Sequence, residues 1–165
     1  MTDPIRKSLH VPLRPKEAFT LFTKNLADWW PVDSHSLSAG DGEVPKDVSV
    51  DPQVGGYITE TKADGETGRW GTITTWAPGQ TLGISWYVGR GEDEATEITV
   101  VFTPTDTGTR VDLTHDGFDH LGAAATTMSG QYDVGWDHVL IHCFGTYCEL
   151  GNPASFATAA ATNPS

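Results

Sequence analysis

Between Asp47 and Asp116 the chain alternates short β-forming runs with turn residues, and this punctuation narrows the fold more than any other feature. Gly55-Gly56, Asp64-Gly65, Pro78-Gly79, the stretch from Gly89 to Asp93, and Asp106 to Gly108 each supply residues that enter tight turns at low steric cost. They cut the segment into six strands, at 47–51, 57–62, 69–77, 81–88, 95–104 and 108–116, with the short spacing of an antiparallel meander. Side chains alternate across a strand, so Leu82, Ile84 and Trp86 share one face. Ile98, Val100 and Phe102 do the same, as do Val111, Leu113 and His115.

Ile5 to Val11 also alternates, with Ile5, Leu9 and Val11 on one face, and makes a seventh strand. Pro15 suits the first turn of a helix, and Phe19, Phe22 and Leu26 follow at helical spacing. Trp29-Trp30-Pro31 closes that helix, because a residue before proline is pushed toward extended geometry. Residues 33–46 read as a polar loop and 117–130 as a loop of small residues. A long helix is expected from Gln131 to Leu150, with Tyr132, Trp136, Val139, Leu140, Cys143, Tyr147 and Leu150 on its apolar stripe and His138 and His142 opposite. Residues 1–150 then form one domain and 151–165, which lack periodicity, a flexible tail. One amphipathic helix must cover one face of the sheet. A single helix cannot fill the concave face of a strongly curved sheet, so a hollow is expected between them.

The charge excludes several partners. Ten Lys and Arg against 22 Asp and Glu give a formal −12 with no basic cluster, the reverse of a nucleic-acid or anionic-membrane surface. No run is long and apolar enough to span a bilayer, and the N-terminus has no signal-peptide core. Cys143 and Cys148 point to different sides of one helix and cannot pair there, so a cytoplasmic location is expected.

Residues with chemical potential each carry two readings. Trp30, Trp70, Trp86, Phe102, Trp136 and Tyr147 are either packed core or the wall of a cavity. His115 is either a satisfied strand-end histidine or a ligand-binding group and general base. Glu60 and Arg69 flank the Asp64-Gly65 hairpin and form either a cross-strand ion pair or an inward-facing anchor. His138 and His142 have a zinc-compatible spacing but no glutamate between them, and no metal is expected. Neither a GxSxG elbow nor a dinucleotide fingerprint is present, so no catalytic residue and no cofactor is assigned. On a regular helix Phe144, Cys148 and Ile141 fall about 80–140° from Trp136, off the stripe. That flank needs cover from the tail around Phe156, from the first helix, or from a second copy in a homodimer.

Seven segments in order carry a family resemblance: PKEAFTLF (15–22), DWWP (28–31), VGGYITE (54–60), DGETGRWGTIT (64–74), PGQTL before ISW (78–86), GTRVDLTHDGF (108–118) and YDVGWDHVL (132–140). The chain resembles the START-related SRPBCC superfamily, and within it the activator of heat shock protein 90 ATPase homologue-like group. That resemblance implies an α+β helix-grip fold, a curved seven-stranded antiparallel sheet wrapped around a long C-terminal helix with a short N-terminal helical segment. It implies an apolar pocket between sheet and helix, and hence a binding protein for a small hydrophobic or aromatic molecule held by Trp30, Trp70, Trp86, Phe102, His115, Trp136 and Tyr147. The alternatives are a cyclase- or hydrolase-type enzyme using the same pocket, and a chaperone ATPase-activating module. The eukaryotic namesake of the last works with a separate N-terminal domain that these residues do not supply.

Overall fold

The first strand, β1 (Ile5–Val11), pairs with the last, β7 (Gly108–Asp116), and that pairing closes one side of the molecule. Between them β2 (Asp47–Val50), β3 (Tyr57–Thr61), β4 (Thr67–Ala77), β5 (Thr81–Trp86) and β6 (Thr96–Thr105) run as an antiparallel meander. The sheet order is β1-β7-β6-β5-β4-β3-β2, and it curves into a half-barrel around the C-terminal helix, the helix-grip fold. The computed structural model describes residues 4–31, 36–88 and 91–151. The segment from 152 onward, including Phe156, lies outside these.

Register shifts at Ile58/Thr59 and Ile73/Thr75 interrupt both ladders of β4 and let this longest strand bend. Between them sits Gly71, where a Cβ would run into the Ser85 carbonyl oxygen and Ile84 of β5. Only glycine lets the two strands approach at this point.

Helix α1 (Pro15–Thr23) starts at an extended Arg14 with Pro15 in its first turn, and buries Ala18, Phe19 and Phe22. It ends three residues earlier than the Phe19-Phe22-Leu26 spacing predicts. A short α2 (Leu26–Trp29) comes next and stops at Trp30, whose ψ of 131° is the extended geometry that Pro31 imposes. Phe19 meets Trp76 and Phe102 edge-on at 4.9 and 5.4 Å, so α1 caps one end of the concave face.

The last helix departs from expectation twice. Residues 118–124 are 3₁₀-helical, with Gly122 breaking the helical geometry, and α3 (Ala125–Trp136) begins where a loop of small residues is expected. Alanine is the best helix former, and Ala123 to Ala125 continue into the helix rather than interrupt it. Then Asp137–Phe144 is π-helical before α4 (Gly145–Gly151) resumes the ordinary pitch. The wider π turn shifts the rest of the helix by roughly one residue, about 100° of rotation. The buried stripe therefore runs Trp136, Val139, Leu140, Phe144, Cys148, whereas Cys143 and Tyr147 are only half-buried. Phe144, assigned to the uncovered flank, is instead at the centre of the core, 5.1 Å from Phe22 and 4.8 Å from Trp29. Of the three flank residues Ile141 alone is exposed, and Phe144 and Cys148 need no further cover.

Candidate ligand-binding cavity

Four tryptophans from four elements converge beside the last helix. Trp30 ends α2, Trp70 lies on β4, Trp86 ends β5, and Trp136 marks the junction of α3 with the π-helical segment. Trp30 sits at their centre, with ring centroids 5.2 Å from Trp70, 5.7 Å from Trp86 and 5.9 Å from Trp136. The group walls a cavity of about 460 Å³, within the range of small-molecule sites. Val88, Met128 and Val139 add apolar surface to the lining, and Ser36, Gln131 and Tyr132 add polar groups. Gly135 lines it as well, and a Cβ there would meet nothing within 4 Å, so this glycine faces the open cavity rather than an approaching element. Behind Trp30, Trp86 and Trp136 lies an apolar void of only about 20 Å³. The three rings form the floor between the two spaces.

Three of the four indole N–H groups are taken up by protein side chains. Trp70 donates to Glu60 at 2.9 Å, Trp86 to the Tyr132 hydroxyl at 3.0 Å, and Trp136 to Nδ1 of His115 at 3.0 Å. These tryptophans therefore offer carbon surface to the cavity.

Glu60 is fully buried and also accepts from the Leu37 and Ser38 backbone N–H groups, at 2.7 and 2.8 Å, and from the Ser38 hydroxyl. Burial alone would raise its pKa. The hydrogen bonds from Ser38, Leu37 and Trp70 outweigh it and hold the carboxyl below the usual range. The ionised Glu60 thus ties the loop carrying Ser36 to the tryptophan wall.

His115 is equally buried, and its tautomer is dictated by its partners. An indole can only donate, so Nδ1 accepts from Trp136 and the ring proton sits on Nε2. Nε2 then donates to the Thr96 hydroxyl at 2.7 Å, which in turn donates a hydrogen bond to the Trp86 carbonyl at 3.2 Å. Burial lowers the pKa of His115 to about 3, so the ring is neutral at any ordinary pH.

The family model described as Activator of Hsp90 ATPase homolog 1-like protein matches residues 12–147. The chain belongs to this family. No curated protein matches it. Among solved structures it is similar to an anthrahydroquino-γ-pyrone synthase, Txn09, solved as a complex. The two share 31% identity over 80% of this chain and 88% of that one, with a TM-score of 0.56. Two more distant structures share the fold. An AHSA1-like protein from Aeromonas hydrophila is 20% identical over 90% and 94% of the chains, TM-score 0.61. An Aha1 dimer from Colwellia psychrerythraea is 18% identical over 84% and 96%, TM-score 0.50.

In this AHSA1-like chain the seven residues picked from sequence divide. Trp30, Trp70, Trp86 and Trp136 line the cavity. Phe102 lies farther along β6 beneath Phe19 and Phe22, at the α1 end of the sheet. Tyr147 is turned by the π segment toward Asp28, whose carboxylate accepts its hydroxyl proton at 3.2 Å. His115 lies outside the lining, next to Trp136, with both nitrogens in hydrogen bonds. The Glu60–Arg69 ion pair is not formed. Glu60 stands opposite Gly68 and points inward, whereas Arg69, opposite Thr59, is exposed and lies 3.7 Å over the Tyr57 ring. His138 and His142 are exposed and stacked at 5.7 Å. Among the described residues no cluster of three or more potential metal ligands exists, and no helix is long and apolar enough to cross a membrane. Tyr132 was within reach of sequence, one turn before Trp136 on the same face. Met128 was not, because its segment reads as a loop.

Proposed function

We propose that the cavity binds a flat, polycyclic aromatic molecule of low charge. The observation that carries this reading is the wall of three tryptophans packed around Trp30 beside about 460 Å³ of space, with the N–H groups of those three taken up by protein side chains. Broad carbon faces suit a fused aromatic system, which binds by area and ring stacking. The similarity to an anthrahydroquino-γ-pyrone synthase supports the same ligand class. The test is a thermal-shift and tryptophan-fluorescence screen with neutral tricyclic aromatics. A ligand at 100 times its Kd should stabilise the fold by about 2.7 kcal/mol. Absence of both a melting shift and quenching across the panel overturns the proposal.

A ring-closing activity is the second reading, favoured by that relative's description. In such a reaction the cavity would hold the reacting chain against the ring, and positioning alone can lower a barrier by several kcal/mol. We assign His115 no role as its base, since the ring lies behind the lining and both its nitrogens are already in hydrogen bonds. Incubation with a phenolic anthrahydroquinone bearing an open-chain pyrone precursor tests it, and closure no faster than in buffer overturns it.

For a protein partner we propose a second copy of the chain, as in the Colwellia psychrerythraea dimer. Val134 and Ile141, both exposed on the last helix, are the residues that would meet it. Light scattering at micromolar concentration tests this, and a monomer mass overturns it.

A further inference from the structure

We infer that Gln131 makes the cavity selective for polycyclic aromatics that carry oxygen on the ring system, its carboxamide hydrogen-bonding that oxygen at the cavity mouth. This rests on the reading of the cavity as an aromatic-ligand site. Shape and oxygen are read by different parts of the wall. Stacking on Trp70, Trp86 and Trp136 responds to the area of a ring system, while their N–H groups donate to Glu60, Tyr132 and His115. A hydrocarbon and its ketone present nearly the same area, so these three rings separate them weakly.

On α3 the lining residues are Met128, Gln131, Tyr132, Gly135 and Trp136, at the spacing of one helix face. A primary amide among thioether, aromatic and glycine positions breaks the pattern of that face. Gln131 is exposed and yet lines the cavity, which puts it where the space opens to solvent. Among the described residues it has no hydrogen-bond partner, so its donors and its acceptor are uncommitted within the fold. One turn on, Gly135 leaves open space where a Cβ would stand, and no side chain there comes between the amide and the cavity.

The chemistry of the group then sets what it selects. A carboxamide has two N–H donors and a carbonyl acceptor, so it can donate to a ketone and accept from a hydroxyl. A ring oxygen brought against the tryptophan wall gives up water, and the amide replaces that bond. At a hydrated mouth the exchange contributes the modest net amount of an ordinary hydrogen bond, about fivefold in affinity.

Three tricyclic probes of one outline test this: fluorene, 9-fluorenone with an acceptor oxygen, and 9-hydroxyfluorene with a hydroxyl. Equilibrium dialysis gives their dissociation constants on the wild type, Gln131→Leu and Gln131→Glu. Gln131→Leu should weaken both oxygenated probes about fivefold relative to fluorene. Gln131→Glu, an acceptor only at neutral pH, should weaken 9-fluorenone alone and keep 9-hydroxyfluorene. Differences in partitioning among the probes are the same for all three proteins and cancel in the comparison. Fluorene binding also reports that each variant is folded, and Gln, Leu and Glu differ little in helix propensity. An equal change for all three probes in Gln131→Leu, or no change for the oxygenated pair, overturns the Gln131 assignment while the aromatic-site reading stands. Any result in Gln131→Glu other than loss of the ketone alone does the same. Failure of the wild type to bind any of the three removes that reading, and the Gln131 assignment with it.

Discussion

His115 illustrates how a single buried residue is set by its neighbours. Trp136 below and Thr96 above fix both its tautomer and its neutrality, and its ring packs 4.5 Å from Phe118. The unfolded chain protonates this histidine near its ordinary 6.5, but the folded chain resists until about 3. Below pH 6.5 the unfolded state therefore binds more protons, and stability falls as pH drops from 6.5 toward 3, by at most about 1.4 kcal/mol per unit. Denaturant melts of the wild type and His115→Gln across that window should show a flatter acid limb in the variant, and parallel limbs would contradict the buried neutral ring. Glu60 acts in the same direction at lower pH. Its carboxyl is held below the usual range, so its contribution is full above about 4.5 and is lost on further acidification. Trp136 is the other half of the histidine pair. Trp136→Ala should cost about 3–5 kcal/mol, from lost packing plus an unpaired His115 nitrogen. A loss under about 1 kcal/mol would mean that the ring lines an open surface instead.

At the scale of elements, the π-helical segment Asp137–Phe144 decides which side chains enter the core. It exchanges Cys143 for Phe144 and Tyr147 for Cys148 on the buried stripe. Phe144→Ala should then cost about 3–5 kcal/mol and Cys143→Ala under about 1, and chemical denaturation of the two variants reads the difference directly. Reversal of that order would restore the regular stripe. The strands were legible because Gly, Asp and Pro mark their turns chemically, and each strand from β1 to β7 lies within about two residues of its sequence-based limits. The π turn was not legible, since periodicity reasoning assumes 3.6 residues per turn. Depth along a strand was not legible either. Phe102 shares its face with cavity residues yet sits under α1, because alternation reports a face and not a position on it. Gly135 likewise gives no sign in the sequence that it opens onto the cavity. Gly135→Ala should stabilise α3 by about 0.5–1 kcal/mol through helix propensity while reducing the melting shift produced by a bound aromatic. An unchanged ligand shift would place the binding site elsewhere.

On the scale of the whole molecule, charge and cavity act together on ligand choice. The chain carries a formal −12, and Asp133 and Asp137, on the helix that lines the cavity, share the single Lys7 ammonium at 2.9 and 3.0 Å. Those bonds draw Lys7 into the sheet–helix seam and raise its pKa, chiefly through Asp133, so it stays charged but is committed to the fold. The cavity side chains are otherwise neutral: tryptophans, aliphatics, Met128, Gln131, Tyr132 and Ser36. An anionic ligand therefore meets repulsion from the molecule as a whole, with no cation among the described residues of the wall to offset it. Salt screens that repulsion over a Debye length of about 10 Å at 0.1 M. The expected outcome is a contrast between two probes of one shape. Anthraquinone-2-sulfonate should bind several-fold more tightly when ionic strength rises from about 20 to about 200 mM, whereas the affinity of neutral anthraquinone should stay flat. Fluorescence titrations at the two salt concentrations measure both. Tighter sulfonate binding at low salt would require a cation at the cavity, and a ligand class of low charge would then be wrong.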